Sequence, residues 1–237
     1  MSTQVNRTFR STGTETRHCK EDALSERAFE RMYAASFELD DYRAIESRLI
    51  LFLAGRLGMR VGEIRHLSSE WIDWRRQMIE IPRHEPCNMG RDNNMCGYCR
   101  QAARRLTEYH DDIGMDEAGE MQWKPKTEAA AREIPYAVSP RTEMVIERYF
   151  DSYERLQIST TGISRRVDRL ADLAEDVDPE STYPHCLRAT AASHWAARGL
   201  NAVALKSMMG WSDFNIALKY IEESGERTAK ALESIQS

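Results

Sequence analysis

The sequence predicts a mainly α-helical fold carrying one small antiparallel β-sheet, an α+β chain whose residues 21–237 form a single domain. Three observations lead there. Apolar residues recur at helical spacing through most of the chain, in stretches opened by Ser, Asp or Asn and closed by glycine or proline. Only in two places does the apolar period drop to two. No apolar run approaches the roughly 18 residues of a membrane span, and the N-terminus lacks the apolar core of a signal peptide.

The elements follow in order. Residues 1–20 are Ser/Thr-rich and carry Arg7, Arg10, Arg17 and Lys20 against one acid, Glu15. That pattern reads as a disordered terminus or as a basic arm that touches phosphates. Ser25 caps a helix with the stripe Phe29, Met32, Tyr33 and Phe37. Tyr42, Ile45, Leu49, Phe52 and Leu53 repeat the pattern, and Gly58 supplies the stop. A short helix, Val61 to Leu67, carries Glu63. Trp71 to Pro82 alternates about a polar turn at Arg75–Gln77 and predicts a hairpin. A second strand pair is expected at Met121–Lys126 and Arg132–Pro135. Ser139-Pro140 opens a helix with Met144, Val145, Tyr149 and Phe150. Another begins near Ser164 and carries Val167, Leu170, Ala171, Ala174 and Val177. Tyr183-Pro184 ends any preceding helix and lets a new one start at His185. Gly199 stops it, Asn201 opens a short helix ending at Gly210, and residues 223–237 read as a helical tail.

Composition narrows the partner. Net charge is −5, which argues at first against nucleic acid. Yet Asp111 to Glu120 holds five acids and no base, which accounts for the whole excess. Of the 33 basic residues 27 are arginine, the side chain suited to bidentate phosphate contacts. Where charge sits matters more than its sum. Five unevenly spaced cysteines predict a reducing cytoplasm rather than a disulfide framework.

Between the predicted strand pairs lies an insertion, residues 83–120, with the pattern His84-x2-Cys87-x8-Cys96-x2-Cys99. Those four side chains are ligands that zinc prefers, in two pairs, and an irregular insertion of this length needs a staple. They are a candidate structural zinc site with no open position for chemistry. Free thiols in a cytoplasmic loop are the competing reading.

The chemistry concentrates in His185–Tyr220. His185 and Arg188, three residues apart, share the first-turn face of a helix, where unpaired N–H groups and the dipole favour an anion. Around Tyr220, Phe214, Ala217, Leu218 and Ile221 form the packing stripe of a helix capped by Ser212 or Asp213. Tyr220 lies roughly 120° from that stripe and is expected to face outward. Arg60 follows a glycine stop, with Glu63 placed to orient it.

The segments GMRVGEIRHL, HCLRATAASHWAARG and MMGWSDFNIALKY resemble the boxes of the tyrosine recombinase, or phage integrase, family. The resemblance spans residues 45–222, and Tyr220 follows Trp211 by the family's nine positions. Two departures are mild: Trp211 stands where most members have His, and Met209 where Leu is usual. What the resemblance implies is the catalytic-domain fold of that family and cofactor-free cutting and rejoining of double-stranded DNA. Tyr220 would be the nucleophile, leaving a 3′-phosphotyrosyl link. Arg60, His185 and Arg188 would supply positive charge and hold the phosphate, and Trp211 would hold a phosphate oxygen or buttress Tyr220. KTEAAAREIP resembles the family's lysine hairpin, so Lys126, with Lys124 as alternative, would be the general acid. The resemblance also implies a homo-oligomer on DNA, a tetrameric synapse. Only 59 residues precede Arg60, so a separate N-terminal DNA-binding domain is not expected. A non-catalytic DNA-binding regulator and a type IB topoisomerase-like enzyme are the competing functions.

Overall fold

The computed structural model describes residues 22–221. The expected basic arm at 1–20 and the tail at 223–237 lie outside the described residues. The described chain is mainly helical with one small antiparallel sheet. Among the described residues no helix is long and apolar enough to cross a membrane.

Helix α1 (Glu26–Ala35) begins where the Ser25 hydroxyl accepts the Ala28 N–H at 3.1 Å. Its stripe residues Phe29 and Met32 are fully buried. The expected fourth member, Phe37, falls past the helix end and is 60% exposed. Helix α2 (Asp41–Gly55), capped by Asp40, is the centre of the molecule. Residues 49–55 are buried without a break, so this half of the helix is enclosed on every side. It packs against α6 (Pro140–Phe150), α7 (Thr160–Leu173) and α8 (Pro184–Ala197). Helix α7 starts four residues earlier than the periodicity predicts, because Ser159 is available to cap it.

Gly58 closes the passage from α2 into α3 (Val61–His66) with φ +65°. That left-handed backbone favours glycine, and a Cβ there would lie 2.4 Å from Met209 Sδ and displace the thioether. The sheet runs β1 (Ile72–Asp73), β2 (Met78–Ile81), β3 (Arg132–Pro135), with Ile79 opposite Ile134 and Ile81 opposite Arg132. The expected strand at Met121–Lys126 is absent. Pro125 cannot donate to a ladder, and Trp123 instead exchanges both backbone hydrogen bonds with Glu85. β3 therefore pairs with β2 rather than with its own hairpin partner. The insertion is also more regular than expected: it contains α4 (Gly97–Tyr109) and α5 (Met115–Glu120), packed on each other.

The C-terminal part of the described chain adds α9 (Ala202–Met209) and α10 (Phe214–Ile221). With α8 they enclose a second, small apolar cluster of Ala192, Ala196, Leu205, Met209 and Tyr220. Here half of the expected face of α10 holds: Ala217 is buried and Ile221 packs on the cluster, but Phe214 and Leu218 do not, and Tyr220 takes their place. Ala217 and Tyr220 point inward, while Phe214 and Leu218 are each 41% exposed. Six of the eight residues of FNIALKYI are apolar or aromatic, so periodicity alone does not choose the buried side.

Candidate active site

Three arginines from three different elements meet at the C-terminus of α9. Helix C-termini carry unpaired carbonyls and the negative end of the dipole, so cations gather there. Arg132 Nε donates to the Met208 carbonyl at 2.7 Å. Arg188 Nη2 donates to the Met209 carbonyl. Arg60 Nη2 donates to the Gly210 carbonyl at 2.8 Å. Consecutive peptide groups thus hold three guanidiniums side by side. Arg188 also donates from Nη1 to the Gly58 carbonyl, which ties the α2–α3 turn to the cluster. Gly210, in the left-handed region at φ +60°, caps α9 and keeps this end open. A Cβ at that position would lie 2.8 Å from Arg132 Nη1.

The counter-charge is Glu63, on the first turn of α3. Its carboxylate accepts the Arg60 backbone N–H at 2.8 Å, Arg60 Nη1 at 2.9 Å, and both terminal nitrogens of Arg132 at 3.0 and 3.1 Å. Burial works against the charged form of Glu63. The fields of Arg132, Arg188 and Arg60 outweigh it and hold the pKa below its ordinary value. Arg188 is almost wholly buried. That burial, then the repulsion of Arg60, pushes its pKa down to about 9, with Glu63 and Tyr220 opposing, so it stays charged at neutral pH.

His185, on the first turn of α8, is exposed at the rim of the cluster. Partial desolvation, then the positive fields of Arg188, Arg60 and Lys126, lower its pKa against the pull of Asp22. The ring is therefore neutral at pH 7. Lys126, exposed and just before β3, stands within electrostatic reach of it. Lys124 is also exposed.

Trp211 and Tyr220 complete the arrangement. Their rings stack 5.3 Å apart at 17°, and the Arg188 guanidinium lies 5.9 Å from the centre of the Trp211 ring. The expectation that Tyr220 faces outward fails: the residue is 9% exposed. The reason is the Trp211 face, which covers the phenol on one side while α8 and α9 cover the other. Its hydroxyl nevertheless lies in the field of Arg188, since the negative phenolate would raise the Arg188 pKa.

Arg60, Arg188, Trp211 and Tyr220 thus meet at the end of α9, whereas His185 and Lys126 are tied to them only through the electric field at the His185 ring. Arg132 was missed as a site residue. Nothing in the sequence marked it; the structure does, by pairing it with the buried Glu63.

The metal expectation needs one correction. Cys87, Cys96 and Cys99 do converge, but on His66, the last residue of α3, and not on His84. The His84 Nε2 lies 2.7 Å from the Glu120 carbonyl on the exposed side of the insertion. His84 comes from the same loop as Cys87 and turns away from it, while His66 is already held at the buried end of a helix.

The model of the phage integrase family matches residues 22–227. The chain belongs to that family. No curated protein matches it in sequence. Among solved structures, the integrase of transposon Tn1549 in complex with circular intermediate DNA is similar with a TM-score of 0.58 at 18% identity. That match covers 91% of this chain and 67% of the other. An arginine-to-lysine variant of that integrase, with another circular intermediate DNA, gives a TM-score of 0.62 at 17% identity, over 96% of this chain and 68% of the other. At such identities the likeness is one of fold. The fold is that of the tyrosine recombinase catalytic domain.

Proposed function

We propose that this chain is a site-specific DNA recombinase that cuts and rejoins strands through Tyr220. The observation that supports it most is the convergence of Arg60, Arg188 and the Trp211–Tyr220 stack on one helix end. A phenol of pKa about 10 is a poor nucleophile at neutral pH, and nearby cations favour its ionised form. Arg188 supplies that field. Tyr220 Oη attacks a backbone phosphorus, a 3′-phosphotyrosyl bond forms, and the 5′-oxygen leaves with a proton from Lys126. A free 5′-hydroxyl later attacks the phosphotyrosine and restores the phenol.

Donors in fixed positions that face the developing phosphorane charge are each worth about 3–4 kcal/mol. Arg60 has donors to spare. Its guanidinium carries five N–H groups, two of which serve Glu63 and Gly210, and its side chain is 23% exposed. Neutral His185 holds a phosphate oxygen through one ring N–H. The Arg132 guanidinium is spent on Glu63 and carbonyl oxygens, so it positions the others. Because the Tyr220 ring is covered, α10 shifts on the small apolar cluster when DNA arrives. The basic rim binds duplex DNA with strong salt dependence. Synapsis requires more than one copy of the chain.

The test is covalent capture. The chain is mixed with a library of nicked duplexes of random sequence, and SDS-resistant protein–DNA adducts are recovered and sequenced. Wild type forms adducts that share a sequence, while Tyr220→Phe forms none and still binds DNA. Absence of wild-type adducts, or adducts that survive Tyr220→Phe, overturns the reading.

A further inference from the structure

The insertion folds three cysteines onto the last residue of the helix that carries Glu63. His66 Nε2 lies 3.5 Å from Cys87 Sγ, 3.6 Å from Cys96 Sγ and 3.2 Å from Cys99 Sγ. All four ligand atoms fall within 4.8 Å of one another. A tetrahedron with Zn–S of about 2.3 Å and Zn–N of about 2.0–2.1 Å places nitrogen and sulfur about 3.6 Å apart. The three nitrogen–sulfur separations, 3.2–3.6 Å, lie at or just below that value, as one ion shared by the four ligands requires.

We infer that His66, Cys87, Cys96 and Cys99 bind one zinc ion as a closed structural site that clamps the insertion onto α3. The chemistry of the surroundings agrees. His66 Nδ1 sits 2.7 Å from the Gly62 carbonyl, so the ring proton is donated there and Nε2 is left to ligate. The imidazole is stacked on Trp123 at 5.0 Å and 24°, and Trp71 packs behind Trp123 at 5.1 Å. Three thiolates around Zn²⁺ leave one net negative charge. Arg65 Nε donates to Cys96 Sγ at 3.3 Å and offsets it. The backbone N–H groups of Cys96 and Cys99 donate to Cys87 Sγ at 3.5 Å and to Cys96 Sγ at 3.4 Å.

Burial closes the site: Cys96, Cys99 and His66 are 1%, 0% and 3% exposed. Three soft thiolates and an imidazole select zinc over magnesium or calcium. Four protein ligands leave no position for substrate, so the ion's work is mechanical. It joins the start of α4, the loop after β2 and the end of α3. Glu63 lies three residues before His66, so the clamp steadies the arginine cluster from behind. Only this last consequence rests on the recombinase reading; metal binding stands apart from it.

The full chain, purified without chelator, is analysed for metal by mass spectrometry, and Co²⁺ is added to the chelator-stripped protein. The expected result is one zinc per chain and thiolate-to-cobalt charge-transfer absorption that saturates at one equivalent. His84→Gln keeps the metal, and Cys99→Ser and His66→Gln lose it. Should those two variants fail to fold, the cobalt titration of wild type decides. Less than a tenth of an equivalent of zinc together with no charge-transfer band overturns the inference. So does loss of metal in His84→Gln with retention in His66→Gln. Tyr220→Phe keeps one zinc, so failure of DNA capture and failure of metal binding are read separately.

Discussion

Glu63→Gln is the sharpest perturbation available, because it removes one charge and almost no volume. Glu63 is 1% exposed and neutralises a group in which the Arg132 side chain is 5% exposed and Arg188 4%. Removing one partner of a buried ion pair costs about 3–5 kcal/mol, since the other charge stays buried and uncompensated. Here the buried Arg132 loses its bidentate carboxylate, the partly exposed Arg60 loses the same partner and Arg188 loses its field, so the upper half of that range applies. For a chain of this length about 2–4 °C of Tm accompanies each kcal/mol, so the variant melts roughly 10–15 °C lower. The pH dependence carries the sign. Burial opposes the Glu63 charge, but Arg132 and its neighbours hold the folded pKa below 4.5. The stabilisation is therefore complete above pH 4.5 and is lost as pH falls from there through the folded value. Urea unfolding of both proteins at pH 7, and at steps down to pH 3, reads this directly. The gap is largest at pH 7 and narrows on acidification. A gap under about 1 kcal/mol at pH 7, or one that does not narrow, refutes the account of the cluster.

Gly210→Ala forces a side chain into a left-handed position 2.8 Å from Arg132 Nη1; it lowers stability by about 1–2 kcal/mol in urea titrations and weakens DNA capture. Trp211→Phe keeps a stacking partner for Tyr220 and stays within several-fold of wild type in adduct formation, whereas Trp211→Ala loses about 1 kcal/mol of ring packing and most adduct. His185, depressed by partial burial and then by Arg188, Arg60 and Lys126, titrates below its ordinary 6.5 by NMR, and Lys126→Ala moves it upward. A midpoint at or above 6.5 in wild type contradicts that field.

What the sequence made legible was the set of local signals. Ser25 and Asn201 cap the helices they should, Gly58 and Gly210 sit where the chain turns left-handed, and the first hairpin turns between Ile72 and Ile79. What it concealed was long-range choice. β3 takes β2 as partner because Pro125 spoils the nearer strand. His66 displaces His84 because a ligand at a buried helix end needs no loop to fold back, and 21 residues separate it from Cys87 in sequence. Tyr220 turns inward because α10 is apolar on nearly every side, so the Trp211 face decides its orientation. Arg132 looked like an ordinary strand residue until Glu63 was seen to face it at 3.0 Å.

The most direct measurement is the identity of the residue that carries DNA after capture. Adducts are digested with nuclease and trypsin, and the nucleotide-bearing peptide is sequenced by mass spectrometry. The expected result is a phosphotyrosyl bond at Tyr220 and at no other tyrosine. A nucleotide on another residue, or a folded chain with no nucleotide on any peptide, contradicts it.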